Sequence, residues 1–272
     1  MKPLSEQEDI LEQAIDFYEG ITVKKNSQKS INLLMTIADY NKDASFYLGR
    51  IYWNKKNNET NNKLAIKWYT NSAKLGHPFA QLWLGHNYLL GTKSKIDAKK
   101  CCYWYKKAAA QNIALAQYHA GMCYFLGYGT NKNFKLATLY MKKAAKNNFY
   151  DADVVLLEIY KQQDKQQYIL QQQKIDKKYS NLYNINSEIS LKYATYILDE
   201  FGFEQNKEKA FNILNSTLLK RVTKAQLLLA KCYEKGLGTN ININKAKELY
   251  KRLSKKTEMA KLRYELLVQQ EK

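Results

Sequence analysis

His119 and Cys123 stand four residues apart, one turn of a helix, a spacing that two ligands of a metal ion could use. No third and fourth ligand gather near them in the sequence, so His119 reads as structural and no metal site is expected. Cys101, Cys102, Cys123 and Cys232 are few for 272 residues and two are adjacent, which fits buried, reduced thiols better than a disulfide framework. Gly127-Tyr128-Gly129 has the look of a phosphate loop, but it follows a helical rather than a strand pattern and lacks the later glycine. Asp199 and Glu200 are neighbours, so on a helix their carboxylates diverge instead of converging on one substrate. No catalytic residue and no cofactor is expected, and the chain does not read as an enzyme.

The elements that position such residues must then be read from composition and pattern. The 31.8 kDa chain is 45% hydrophobic and 13% aromatic, with 22 tyrosines, enough to bury a core. Only 2 prolines and 11 glycines punctuate it, and β-branched runs are scarce, which disfavours sandwiches and barrels and leaves helix as the default. The opening MKPLSEQEDILEQ lacks the apolar core of a secretory signal, and nowhere do roughly 18 apolar residues run together. A cytoplasmic protein with no membrane partner is the expectation.

The strongest pattern is a period. AQLWLGHNYLLG from Ala80, AQYHAGMCYFLGYG from Ala116 and AQLLLAKCYEKGLG from Ala225 repeat the same residue types, and the units begin at 9, 44, 80, 116, 152, 189 and 225. Counting each start as position 0, position 5 is small in Ala14, Gly49, Gly85, Gly121, Ala194 and Ala230, so that a neighbouring helix can approach closely. Position 8 is aromatic in Phe17, Tyr52, Tyr88, Tyr124, Tyr160 and Tyr233. Position 17 is Asn26, Asn61, Asp97, Asn133, Asn206 and Asn242, residue types whose side-chain oxygen caps a helix start, so each unit holds two helices. Glycines 127, 129, 236 and 238 lie between the helices of their units, where positive φ can end the first. The unit from Ala152 departs most, with Ile169 at the cap position and no Ala-Ala pair.

The string A-x-x-x-L-G-x-x-Y-x-x-G-x-G, followed by N/D-x-x-K-A-x-x-W/Y-Y-x-K-A-A, resembles the Sel-1-like repeat, a relative of the tetratricopeptide repeat. The resemblance spans about residues 9 to 260. It implies an all-α fold: a right-handed superhelical α-solenoid of about seven two-helix repeats of period 36, plus a terminal capping helix. The units are 9–43, 44–79, 80–115, 116–151, a degenerate 152–188, 189–224 and 225–259, with 260–272 as the capping helix of one repeat domain, 1–272. It also implies a non-enzymatic adaptor or scaffold that binds another protein, and some bacterial relatives neutralise secreted toxins, so an immunity-type inhibitor is an alternative.

By analogy with tetratricopeptide repeats, positions 2, 6 and 9 of the first helices line a concave groove. In the first half these are Phe46, Arg50, Trp53, Leu82, His86, Leu89, Tyr118, Met122 and Phe125, and position 10 adds Asn54, Leu90 and Leu126. Aromatic residues and methionine are types that anchor interfaces. Charge is uneven as well: residues 44–150 hold 17 basic and 2 acidic side chains, whereas residues 1–43 hold 5 and 8. An acidic or amphipathic protein partner is expected in the groove, met by a basic rim of Lys55, Lys56, Lys93, Lys95 and Lys132. Nucleic acid is the rival acidic partner, favoured by a pI near 9.5 and disfavoured by an arginine count of only 4. The oligomeric state is not readable.

Overall fold

A computed structural model describes residues 2–55, 58–92, 94–180, 187–198, 207–216 and 219–270. Asn206, Asp199 and Glu200 lie outside the described residues, as do Lys56 and Lys93 of the expected rim. The described chain is all-α. Its helices come in pairs: α1 (Leu4–Glu19) with α2 (Ser27–Met35), α3 (Lys42–Asn54) with α4 (Glu59–Lys74), and α5 (Pro78–Leu90) with α6 (Ala98–Ala110). Next come α7 (Ala114–Leu126) with α8 (Phe134–Lys146), α9 (Asp151–Gln163) with α10 (Lys165–Ser180), and α11 (Ser187–Leu198) with α12 (Lys207–Leu214). The last pair is α13 (Thr223–Lys235) with α14 (Ile243–Leu253), followed by α15 (Glu258–Gln269). The chain forms two compact units, Met1–Ile159 and Tyr160–Lys272. In the first, α1 to α8 pack each on the next; in the second, α10 to α15 do the same, the packing of an α-solenoid.

Side-chain caps start the second helices. The side-chain oxygens of Asn26, Asp97, Asn133 and Asn242 accept the backbone N–H three residues on, at 2.9 to 3.0 Å. Their own backbone N–H groups donate to the carbonyls of Phe17, Tyr88, Tyr124 and Tyr233, which ties each cap to the aromatic of its first helix. Asn61 does not cap α4. That helix starts earlier, and Asn58 accepts the Asn61 N–H at 2.8 Å. The reason is the joint: α3 ends on an extended Lys55 rather than a left-handed glycine, so the register of the following loop is lost. The degenerate unit likewise finds a cap that its pattern hides. Asp164, five residues before Ile169, accepts from the N–H groups of Gln166 and Gln167 and starts α10 one residue after α9 ends.

The repeated alanine at position 0 is fully buried in Ala44, Ala80, Ala116, Ala152 and Ala225. At position 5 the reason for a small residue is visible. A Cβ on Gly49, Gly85 or Gly121 would lie 2.5 to 2.8 Å from Tyr69, Tyr105 or Met141, the side chain that the second helix of the same pair lays across it. Gly129 and Gly238 do something different. Both have positive φ, and a Cβ there would lie 1.9 to 2.0 Å from the carbonyl oxygen of Ala98 or Lys207, the first residue of the preceding second helix. Backbone thus rests on backbone, and only glycine fits. In two pairs, an amide at the end of the second helix ties back to the first helix and to the loop that precedes it. Gln111 donates to Gln81 and to the Gly76 carbonyl at 2.9 Å, and Asn147 donates to Gln117 at 2.9 Å and to Asn112 at 2.8 Å.

Candidate protein-binding face

The exposed side of α3, α5 and α7 follows from which positions the core takes. Positions 0, 1, 4, 5, 7 and 8 turn inward or against the second helix, so 2, 6, 9 and 10 share the opposite side. All nine expected groove residues are half-buried: none is sealed in the core and none stands free. Leu90 and Leu126, at position 10, are more open, each 63% exposed.

Neighbouring pairs hold most of these side chains in place. Phe46 is stacked on the His77 ring at 4.2 Å and meets Tyr69 edge-on at 5.6 Å. Trp53 meets Trp83 edge-on at 4.8 Å, and Trp83 in turn stacks on Tyr69 at 4.0 Å. Leu82 and Leu89 pack on the core formed by α6 and α7. His86 sits edge-on to Tyr105 and His119, and Tyr118 meets Phe149 at 4.9 Å. Phe125 lies 5.9 Å from Phe134, with the Lys132 ammonium 4.6 Å above Phe134 and 5.9 Å above Phe125. Arg50 bridges back to α1, pairing with Glu19 at 3.0 Å over the Tyr18 and Tyr47 rings. Of the rim, Lys55 lies over the Tyr52 ring and Lys95 is exposed.

Sequence reasoning missed one row. Position 3 carries Tyr47, Trp83 and His119; Trp83 and His119 stack on Tyr69 and Tyr105 of the pair before, at 4.0 and 4.7 Å. A ring recurring three residues after the core alanine was the available signal. The burial that this stacking brings, with His86 alongside, pushes His119 down to about 4, so it is neutral at neutral pH. His77 is also lowered by burial, with Asp43 at 3.4 Å opposing, and its Nδ1 caps α5 by accepting from the Ala80 N–H.

Three of the buried cysteines, Cys102, Cys123 and Cys232, are held as thiols and are poor nucleophiles. The thiols of Cys101, Cys102 and Cys123 meet where α6 packs on α7. Hydrogen bonding to Cys123 and burial raise Cys102, and Cys123 is pushed up to about 12, chiefly by its hydrogen bond with Cys101. Burial raises Cys232 to about 11. Among the described residues, no three His, Cys, Asp or Glu side chains form a set that could hold a metal ion. None of their helices is long and apolar enough to cross a membrane.

Stacked helix pairs in consecutive packing, with a stripe of half-open side chains along the first helices, define an α-solenoid repeat protein. The Sel1 repeat model matches residues 42–77, 78–113, 114–149 and 223–257, more than half of the chain, which belongs to the Sel1 repeat family. The fold is similar to that of a Sel1 repeat protein from Oxalobacter formigenes, with a TM-score of 0.68 and 20% identity over 96% of this chain and 76% of that one. It is also similar to c5321, a protective antigen of uropathogenic Escherichia coli strains with an SLR fold, with a TM-score of 0.53 and 17% identity over 95% of this chain and 63% of that one. No curated protein matches the chain. Proteins built from Sel1 repeats generally serve as protein–protein interaction scaffolds.

Proposed function

We propose that the chain is a non-enzymatic scaffold that binds an acidic or amphipathic protein segment along the first-helix face of α3, α5 and α7. One observation carries the reading: open apolar side chains, Leu90 and Leu126 foremost, stand in a stretch whose only two carboxylates are already paired with lysines. Glu59 meets Lys63 at 2.7 Å and Asp97 meets Lys100 at 3.2 Å. The apolar stripe supplies contact area, and the surplus of lysine draws a negatively charged partner and speeds its approach. The four buried thiols suit a reducing, cytoplasmic compartment.

Leu90→Asp with Leu126→Asp tests this, because both side chains are exposed and their replacement leaves the core intact. Proteins cross-linked to the native chain at low salt should be lost with the double variant and depleted at high salt. Equal capture by native and variant chains at both salts would overturn the assignment.

A further inference from the structure

The opposite side of the same pairs carries a second surface. On α6, Tyr103 is 47% exposed, and the residues three and four positions away on either side are Lys99, Lys100, Lys106 and Lys107. One pair later Leu139 of α8 is 48% exposed, at the same register, with Lys135, Lys142 and Lys143 at the matching positions and Lys146 one turn beyond. Residues three and four apart share a helix face, so lysines flank each apolar tip; the Lys107 ammonium lies 5.8 Å from the Tyr103 ring, while Lys100 turns to Asp97 and Tyr88 and Lys106 to Tyr124. On α4 the same face presents Lys63, Lys67 and Lys74, all exposed. Glu59 and Asp97 are the carboxylates nearest this surface in sequence, and each is bound to a lysine of its own helix.

We propose that this second-helix face docks on an anionic phospholipid surface. Long lysine stems can lie along apolar tips while their ammoniums stay at headgroup height, and clusters of this size are what a negatively charged leaflet attracts. Nucleic acid fits less well. Leu139 has no ring to stack on a base, and the face carries no arginine fork for phosphate or base edges. An acidic protein segment would leave the two tips without the apolar layer that a bilayer offers both at once. The expectation of no membrane partner rested on the lack of a spanning segment, and a peripheral surface needs none.

Sedimentation with vesicles tests the proposal, using phosphatidylcholine alone and phosphatidylcholine mixed with phosphatidylserine. The native chain should pellet only with the mixed vesicles, and less so as salt rises. Replacing Lys99, Lys107, Lys135 and Lys143 by Gln should weaken binding several hundredfold, about fivefold for each lysine. Circular dichroism and thermal melting of this variant verify that its fold is kept. Tyr103→Ser with Leu139→Ser should keep the low-salt binding and lose the fraction that survives salt. Lys251→Gln with Lys255→Gln, on and just beyond α14, should change binding far less, because there an exposed Glu248 takes the place of the apolar tip. The Leu90→Asp, Leu126→Asp chain should still bind vesicles, which separates this surface from the protein-binding face. Failure to bind the mixed vesicles, equal binding to neutral ones, or an undiminished quadruple variant would each overturn the proposal. So would tight capture of duplex DNA or RNA without vesicle binding.

Discussion

In α7, positions 2, 6 and 9 carry Tyr118, Met122 and Phe125, each half-buried; in α13 the same positions carry Leu227, Lys231 and Glu234. Beneath them the two helices are built alike. Ala116 and Ala225 are fully buried, and Gly121 and Ala230 sit in the cores that hold Met141 and Tyr250. The outer difference is therefore not something the fold demands. In the second unit the position-9 carboxylate is used up internally: Glu234 accepts from Arg263 Nε at 3.2 Å and from the Tyr250 hydroxyl at 2.9 Å. Burial raises this carboxyl, but the Arg263 and Tyr250 hydrogen bonds outweigh it and hold it below its usual range. In α7 those places stay apolar, with the Lys132 ammonium 5.9 Å from the Phe125 ring. One scaffold thus carries a face that satisfies itself and a face that does not.

If the two units share one joint, its loss should cost the same in both. Gly129→Ala and Gly238→Ala each force a Cβ into a backbone carbonyl at positive φ, and each should destabilise by about 3 kcal/mol in urea denaturation. A clearly smaller loss at Gly238 would break the equivalence. Acid should separate the units instead, because all three histidines lie in the first. With His119 near 4 when folded and near 6.5 when unfolded, the unfolded chain binds the extra proton between these values. Stability from this residue is present above about pH 6.5 and is lost as pH falls toward 4, up to about 3 kcal/mol. His119→Phe keeps a ring against Tyr105 and should flatten that slope in melts across the window; an unchanged slope would remove His119 from the account. Gln81→Leu is the next step down. It takes away the acceptor of Gln111 and the donor to the Ala73 carbonyl, for a loss of about 1 kcal/mol.

The core was the legible part of the sequence. Ala at position 0, a small residue at 5 and an aromatic at 8 follow from helix-to-helix distance and recur together in α3, α5, α7 and α13, while Asp9, Leu157, Ile189 and Ile197 break the pattern in the other pairs. The stripe of α3, α5 and α7 was legible by subtraction, as what the core leaves over. Its stacking was not, because Phe46 is covered by His77 and Trp53 by Trp83, side chains at the start of and within α5 of the next helix pair, about 30 residues on. The lysine-flanked tips Tyr103 and Leu139 occupied a position where the family pattern places no rule, and only exposure sets them apart. Asn61 and Ile169 misled for a single reason: a fixed offset assumes a fixed joint, and the joints after α3 and α9 differ from the glycine turns after α5 and α7.

That last point gives the finest test of how far the two units are alike. Asn133 in the first unit and Asn242 in the second cap their helices with the same side-chain bond and the same backbone tie to an aromatic carbonyl. Substituting either by Ala should cost about 1 kcal/mol. At α4 the loss should move three residues upstream of the repeated cap position, so that Asn58→Ala also costs about 1 kcal/mol. Equilibrium denaturation of the three variants resolves these values. If Asn58→Ala cost nothing while Asn133→Ala and Asn242→Ala each cost about 1 kcal/mol, the cap at α4 would not lie at Asn58, and the irregular joint would belong to the region after α9 alone.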